Sequence, residues 1–242
     1  MKILMTNDDG INAEGLRLMA EAALTLKPEK LWIVAPDAQC SAMSQRMTLR
    51  QAMRLKEVGY PVAVTKAYSL GGTPADCIKV ALSHIFTKER PDVIFSGMNW
   101  GYNSGFDIAY SGTVGAAMEG VMNGIPSYAF SNAAYLSNDL AIRYLPELMR
   151  EVLKIPFDGK SIINVNIPGC PVEECRGILW DRTVMAQQYY TDHYEEETGE
   201  DGSVYLTANG TPAEGTDFPE GTDIAALQQN YISIGKVKSM VL

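Results

Sequence analysis

The 242-residue chain has an ordinary globular composition, with 46% hydrophobic and 20% charged residues, which suits one α/β domain with an appendage or two small domains. Its formal charge of −9 argues against a surface built for nucleic-acid polymers or anionic membranes. Four cysteines, without a leader-like or membrane-length apolar run, lead us to expect a cytoplasmic protein with reduced thiols.

Strand-like and helix-like segments alternate over the first two-thirds of the chain. Continuous apolar runs predict buried parallel strands, and Thr73-Pro74 predicts a capped helix start. In chain order the predicted elements are a strand at 2–5, a helix at 15–26, strands at 31–35, 54–58 and 61–68, a helix from 73–74, a strand at 92–95, a helix at 114–122, a strand at 125–130, a helix at 139–153, and strands at 162–166 and 231–234.

This βαβ rhythm predicts an α/β fold with a Rossmann-like, doubly wound and mostly parallel sheet. Residues 1–175 are expected to form the α/β catalytic core. Residues 176–242 are expected to form a C-terminal arm or hairpin extension and a late strand. Residues 187–222 are polar and acidic, so we interpret them as an irregular arm or hairpin region without a catalytic role.

Two adjacent carboxylates, Asp8 and Asp9, follow the first predicted strand directly. Open α/β sheets bind ligands outside the carboxyl ends of their strands. Neighbouring carboxylates repel each other, and a divalent cation such as Mg²⁺, which prefers oxygen ligands, relieves that repulsion. The same residues would also suit an Asp-Gly turn with Asp9 capping the next helix. The pair alone therefore leaves a metal site and a plain turn both open.

Other polar residues are predicted at the same edge of the sheet. Ser41 and Ser44 follow the second long strand, and Asn99 and Asn103 follow the strand at 92–95. The segment 111–113 is a predicted helix start, where free N–H groups and the helix dipole favour a phosphate. Each residue by itself is an ordinary loop, turn or cap residue, but together they predict one oxygen-rich pocket.

Several common chemistries are disfavoured by the sequence. His84 lies in a helix-like segment and His193 in the acidic arm, so neither suits a Ser-His-Asp arrangement. The sequence has no glycine-rich loop ending in Gly-Lys-Ser/Thr, and no Gly-x-Gly-x-x-Gly follows the first strand, which disfavours P-loop and dinucleotide binding. Paired carboxylates beside an anion-binding helix start instead favour metal-assisted hydrolysis of a phosphate ester.

Motifs along nearly the whole chain resemble, in order, those of the SurE family. The resemblance implies a divalent-metal-dependent nucleotidase that removes phosphate from nucleoside 5′- and 3′-monophosphates. It also implies late arms exchanged between subunits, and hence a homodimer or homotetramer. The motifs are Asn7–Ile11, Ala35–Asp37 with Ser41, Gly72–Cys77, Ser96–Asn103, Tyr110–Val114, Ala117–Gly120, Asn164–Pro168 and Tyr231–Ile234.

The resemblance implies one Mg²⁺ or Mn²⁺ per subunit, with Asp8 and Asp9 as catalytic residues. We expect metal-assisted attack of a water molecule on phosphorus; a covalent aspartyl-phosphate on Asp8 is the alternative mechanism. The implied metal ligands are Asp8, Asp9, Ser41 and Asn99. The candidate phosphate and substrate contacts are Asn7, Ser44, Asn103, Ser111, Gly112 and Thr113.

Three stretches depart from the family's pattern. Residues 38–40 replace basic residues, residues 43–46 include Arg46 as a candidate replacement cation, and 235–237 replace a usual Thr-Pro. These departures affect the expectations for substrate preference and assembly, and they leave the four implied metal ligands intact. The sequence leaves open the preferred base, sugar position and metal, cleavage of polyphosphate, and the choice between dimer and tetramer. The alternative hypothesis is a non-catalytic nucleotide-binding regulator that retains the metal pocket. A receiver-like signalling module is disfavoured, because Asp92 precedes its strand.

Overall fold

The computed structural model describes residues 1–133, 137–187, 190–212 and 218–239. Parts of the predicted arm at 187–222 and of the predicted 176–242 region therefore lie outside the described residues. The strands are Lys2–Thr6 (β1), Lys30–Pro36 (β2), Leu55–Val58 (β3), Lys66–Leu70 (β4), Val93–Trp100 (β5), Ser127–Asn132 (β6), Ser161–Ile167 (β7), Ile178–Leu179 (β8), Tyr190–Thr191 (β9), Tyr194–Thr198 (β10), Val204–Ala208 (β11), Thr211–Pro212 (β12) and Ile232–Lys238 (β13).

Helices connect most of the strands of the core. A π-helical turn at Ala81–Ile85 continues the second helix, and short 3₁₀ turns lie at Gly105–Ala109 and Val172–Glu174. The α-helices are Glu14–Leu24 (α1), Pro74–Val80 (α2), Gly112–Met122 (α3), Asp139–Val152 (α4) and Asp223–Gln228 (α5). None of the helices described is long and apolar enough to cross a membrane.

Nine strands form the main sheet in the order β3-β4-β2-β1-β5-β6-β7-β13-β8. Neighbouring strands are parallel except for the pairs β3–β4 and β7–β13. The predicted α/β, doubly wound and mostly parallel fold is thus confirmed. The chain first moves outward from β1 to β2 and β4, then returns to β5 on the other side. The carboxyl ends of β1 and β5 therefore flank the switch point at which such sheets bind ligands.

The central strands are buried on both faces, which explains their continuous apolar sequences. Ile3 and Met5 of β1 pack into the layer that contains α1 and α4, whereas Leu4 faces the layer that contains α2. On the second face, Trp32 stacks on Phe86 with ring centroids 4.2 Å apart. Burial on both faces holds the carboxyl ends of β1 and β5 in fixed positions.

Two strands differ most from their predicted bounds. The strand predicted at 61–68 begins only at Lys66, because the Val64 N–H donates to the Val62 carbonyl at 2.7 Å and turns the chain. The strand predicted to end at Phe95 continues to Trp100, and its register against β6 shifts between Ser96 and Asn99. This irregular end of β5 carries the candidate ligand Asn99.

The late part of the chain contributes to the main sheet and also forms a hairpin. β10 and β11 pair antiparallel, with Tyr194 opposite Ala208, in agreement with the predicted hairpin extension. The late strand is longer than predicted and pairs with β7, while β8 and α5 were not predicted. The division of the chain at residue 175, and an assembly role for residues 176–242, stay predictions.

Gly15 in the first turn of α1 permits a close approach to β5. A Cβ at this position would lie 2.2 Å from the Met98 carbonyl oxygen. Gly→Ala within a helix ordinarily stabilises a protein by about 1 kcal/mol, but this backbone oxygen is fixed by the strand. We expect Gly15→Ala to lower the free energy of unfolding by about 1–3 kcal/mol, measured by urea denaturation.

The matched control is Gly59→Ala, where a Cβ would meet no described atom within 4 Å. We expect its free energy of unfolding to stay within about 0.5 kcal/mol of the wild type. Equal denaturation midpoints for the two variants would contradict a requirement for glycine between α1 and β5.

Candidate active site

A tight turn after β1 presents the two carboxylates. The Asn7 side chain is buried; its amide nitrogen donates to the Gly10 carbonyl at 2.9 Å, and its amide oxygen accepts from the Gly10 N–H at 3.2 Å. Asp9 does not cap the following helix, because the N-cap position of α1 is Ala13. The turn therefore leaves the Asp8 and Asp9 side chains to other partners.

Asp8 is joined to the start of α3. Its Oδ1 accepts from the Thr113 hydroxyl at 2.6 Å, and its Oδ2 accepts from the Thr113 N–H at 3.1 Å. Ser111 is the N-cap of this helix, and its hydroxyl oxygen accepts from the Val114 N–H at 3.0 Å. A Cβ at Gly112 would lie 3.0 Å from the Asp8 Cβ and 3.2 Å from the Cys40 carbonyl oxygen. The predicted helix start thus packs directly against the first carboxylate.

Asp9 faces the end of β5. Its Oδ2 accepts from the Trp100 N–H at 3.1 Å, and the Gln39 side chain lies near this carboxylate and acts to lower its pKa. The two carboxylates are therefore held by different walls of the site, with Asp8 against α3 and Asp9 against β5. Gln39 belongs to the stretch that departs from the family's pattern, and its position near Asp9 was not predicted.

Burial makes both carboxylates harder to ionise. It raises the pKa of Asp8 to about 6, with a smaller contribution from repulsion by Asp9. Burial is also the main cause of the raised pKa of Asp9. A cation between the two side chains would favour their charged forms.

The residues at this edge fit a hard divalent cation. Cys40 donates its N–H to the Asp8 carbonyl at 2.7 Å, which places the exposed Ser41 beside the turn. The Asn99 amide nitrogen donates to the Gly101 carbonyl at 2.7 Å, so its oxygen is the atom suited to a cation. In the described residues no three or more His, Cys, Asp or Glu side chains cluster. Two carboxylates with neutral oxygens suit Mg²⁺, which keeps several waters of its own.

The loop that carries Ser41 and Ser44 is clamped onto α3. Ser44 donates its N–H to the Tyr110 carbonyl at 2.8 Å and its hydroxyl to the Ala109 carbonyl. Gln45 donates to the buried Glu119 carboxylate at 3.1 Å, and Lys79 lies 2.9 Å from the same carboxylate. Glu119 therefore fixes both the loop and α2 on α3, a role that was not predicted.

Asn103 lies in a buried network of amide groups. Its side chain donates to the Ser131 hydroxyl at 2.7 Å, and its carbonyl accepts from Asn164 at 2.8 Å and Asn166 at 2.9 Å. This network fixes the segment between β5 and α3. Two asparagines at i and i+2 on an apolar strand are the sequence signal that would have indicated it.

The structure separates the predicted site residues into two groups. Those that form the common edge are Asp8, Asp9, Ser41, Asn99, Ser111, Gly112 and Thr113. Asn7, Ser44 and Asn103 use their side chains in hydrogen bonds that hold the surrounding turns and loops.

Comparisons with known proteins agree with this fold. The profile of the family described as "Survival protein SurE" matches residues 3–192. The "5'-nucleotidase SurE" of Bradyrhizobium sp. (strain ORS 278) is 36% identical over 241 residues, which cover 97% of this chain and 92% of that protein. The "5'-nucleotidase SurE" of Pelotomaculum thermopropionicum is 36% identical over 240 residues, which cover 98% of this chain and 89% of that protein. The crystal structure of the SurE protein from Aquifex aeolicus matches with a TM-score of 0.83 at 29% identity, covering 100% of this chain and 95% of that one.

The raised pKa of Asp8 predicts how stability depends on pH without a cation. The pKa is higher in the folded chain, about 6, than the ordinary 3.8. The metal-free protein should therefore lose stability as the pH rises through this interval, by up to about 3 kcal/mol. Asp8→Asn removes this loss but weakens a hydrogen bond worth about 1 kcal/mol. In EDTA near pH 7 we expect the variant to be more stable than the wild type.

The measurement is chemical denaturation of both proteins in EDTA near pH 7 and again below pH 4. Below pH 4 the wild-type carboxyl is protonated, so the advantage of the variant should disappear. An advantage of equal size at both pH values would contradict this account of Asp8.

Proposed function

Because the chain belongs to the SurE family and is a 5′-nucleotidase, we propose that it hydrolyses nucleoside 5′- and 3′-monophosphates with one bound divalent cation. Asp8, Asp9, Ser41 and Asn99 would hold Mg²⁺ or Mn²⁺. When bound, the cation would polarise a phosphoryl oxygen and lower the pKa of a water molecule.

One observation carries this proposal: a carboxylate and a helix N-terminus meet at the switch point of the sheet. Thr113 donates two hydrogen bonds to Asp8, so the start of α3 lies beside the first proposed ligand. The positive end of the helix dipole favours a phosphate at that place. Since the Val114 N–H is bonded to Ser111, a phosphate there would meet the N–H of Gly112.

The hydrogen bonds of the two carboxylates support a preorganised site. Asp8 is oriented by Thr113, and Asp9 by the Trp100 N–H. Groups fixed before the reaction need no reorganisation as charge develops on the transferred phosphoryl group. Asn7, Ser44 and Asn103 act on the reaction by holding these loops in place.

Direct attack by water is favoured over a covalent intermediate. Both carboxylate oxygens of Asp8 accept hydrogen bonds from Thr113, and such bonds reduce the nucleophilicity of the carboxylate. The remaining role for Asp8 and Asp9 is to hold the cation and to orient the attacking water.

Asp9→Asn tests the proposed function. We expect phosphate release from nucleoside monophosphates to require Mg²⁺ or Mn²⁺, to stop in EDTA, and to fall at least about 100-fold in the variant. The cation should also raise the melting temperature of the wild type more than that of the variant. The measurements are colorimetric phosphate release from a panel of 5′- and 3′-monophosphates and thermal denaturation.

The matched control is Asp92→Asn, an aspartate beside the amino end of β1 that accepts from the Lys2 N–H at 2.7 Å. It should release phosphate at the wild-type rate. Folded wild-type protein that releases no phosphate with any metal would overturn the proposed hydrolysis and favour a nucleotide-binding regulator.

The mechanism is tested by acid quenching during turnover of a ³²P-labelled nucleotide. Direct attack by water predicts that no label remains on the protein. Protein-bound label that hydroxylamine releases would identify an aspartyl-phosphate and contradict direct attack.

A further inference from the structure

A cavity of about 280 Å³ opens beside Asp9 and Asn99. Its walls come from the start of α1, the end of β5 and the residues that follow β6, and none of its lining residues belongs to α3. Asp8 and Thr113, by contrast, lie against α3. The carboxylate pair thus lies between this cavity and the start of α3, where the phosphate is proposed to bind; we call residues 111–113 the phosphate side.

We propose that this cavity binds the nucleoside part of the substrate, with the base stacked on Trp100 and the ribose hydroxyls near Glu14. The inference rests on the proposed function, because it places the phosphate at the start of α3. From there, the ester oxygen would lie at the carboxylate pair and the nucleoside would extend past Asp9.

The charges of the cavity favour a neutral, hydroxyl-bearing group. Its ionisable lining side chains are Asp9 and Glu14, and neither lysine nor arginine lines it among the described residues. A second phosphate would be repelled there. Carboxylates accept hydrogen bonds from ribose hydroxyls, as acidic residues do in dinucleotide-binding sites.

Amide side chains supply further donors and acceptors. Gln39, Asn132 and Asn138 line the cavity, and Asn132 donates to Asn138 at 3.0 Å. Amides can pair with the polar edge of a base in either direction. The residues at 38–40 that depart from the family's pattern thus bring a neutral amide to this wall in place of a basic residue.

Trp100 provides an aromatic surface at the mouth of the cavity. The residue is 58% exposed, although its backbone N–H is fixed by Asp9. A large exposed aromatic on a fixed strand end is a suitable platform for a base. Stacking of this kind tolerates all four bases, because each has a π face. The subsite should therefore bind nucleosides with little selectivity for the base.

The test measures binding of adenosine, which lacks phosphate, by titration calorimetry in EDTA. We expect the wild type to bind adenosine and Trp100→Ala to weaken binding about 10-fold or more, with most of the affinity retained in Trp100→Phe. Glu14→Gln should reduce the preference for adenosine over 2′,3′-dideoxyadenosine. The control is Trp180→Ala, an exposed tryptophan at a different cavity, which should bind adenosine like the wild type.

Turnover separates this inference from the proposed function. With Mg²⁺, Trp100→Ala should raise KM for nucleoside monophosphates while inhibition by inorganic phosphate, which occupies only the phosphate side, stays unchanged. Failure of the wild type to bind adenosine, or equal weakening by Trp100→Ala and Trp180→Ala, would overturn the subsite even if phosphate is released. Absence of phosphate release would overturn the proposed function, and adenosine binding in EDTA would still decide the subsite.

Discussion

The two hydrogen bonds from Thr113 to the Asp8 carboxylate join the first strand of the sheet to the start of α3. They orient the carboxylate on which the proposed cation site depends, and they fix the helix end beside it. Because Asp8 is only 3% exposed, each bond replaces hydration that the carboxylate has lost. The same burial raises the pKa of Asp8. A cation bound beside this carboxylate would favour its charged form and so offset the cost of burial.

Close backbone approach is the second constraint on the site. A Cβ at Gly115 would lie 2.3 Å from the Ser44 carbonyl oxygen, and a Cβ at Gly112 would lie 3.0 Å from the Asp8 Cβ. Glycine at these positions lets the loop with Ser41 and Ser44 lie directly on α3. Glu119 then holds this loop through Gln45, so a buried charge remote from the cation edge helps to position it.

Asp9 connects the edge that carries the proposed cation ligands to the cavity, because its carboxylate accepts from the Trp100 N–H and lines the cavity together with Gln39. Because Trp100 contributes its backbone N–H to this contact, replacing its side chain would change the cavity wall and leave the hydrogen bond to Asp9 in place. Gln39 forms part of the wall of this cavity, together with Asp9 and Asn99.

The sequence by itself determined the order of strands and helices from β1 to β7, the doubly wound sheet and the edge with Asp8, Asp9 and the helix start at Ser111, because apolar periodicity and capping residues are local signals. It could not give the end of β5, the turn before β4 or the partners of Asn103. Only the tertiary structure decided these, together with the contacts of Gln39 and Glu119 and the cavity beside Trp100. They depend on residues distant in sequence that meet only when the sheet has formed.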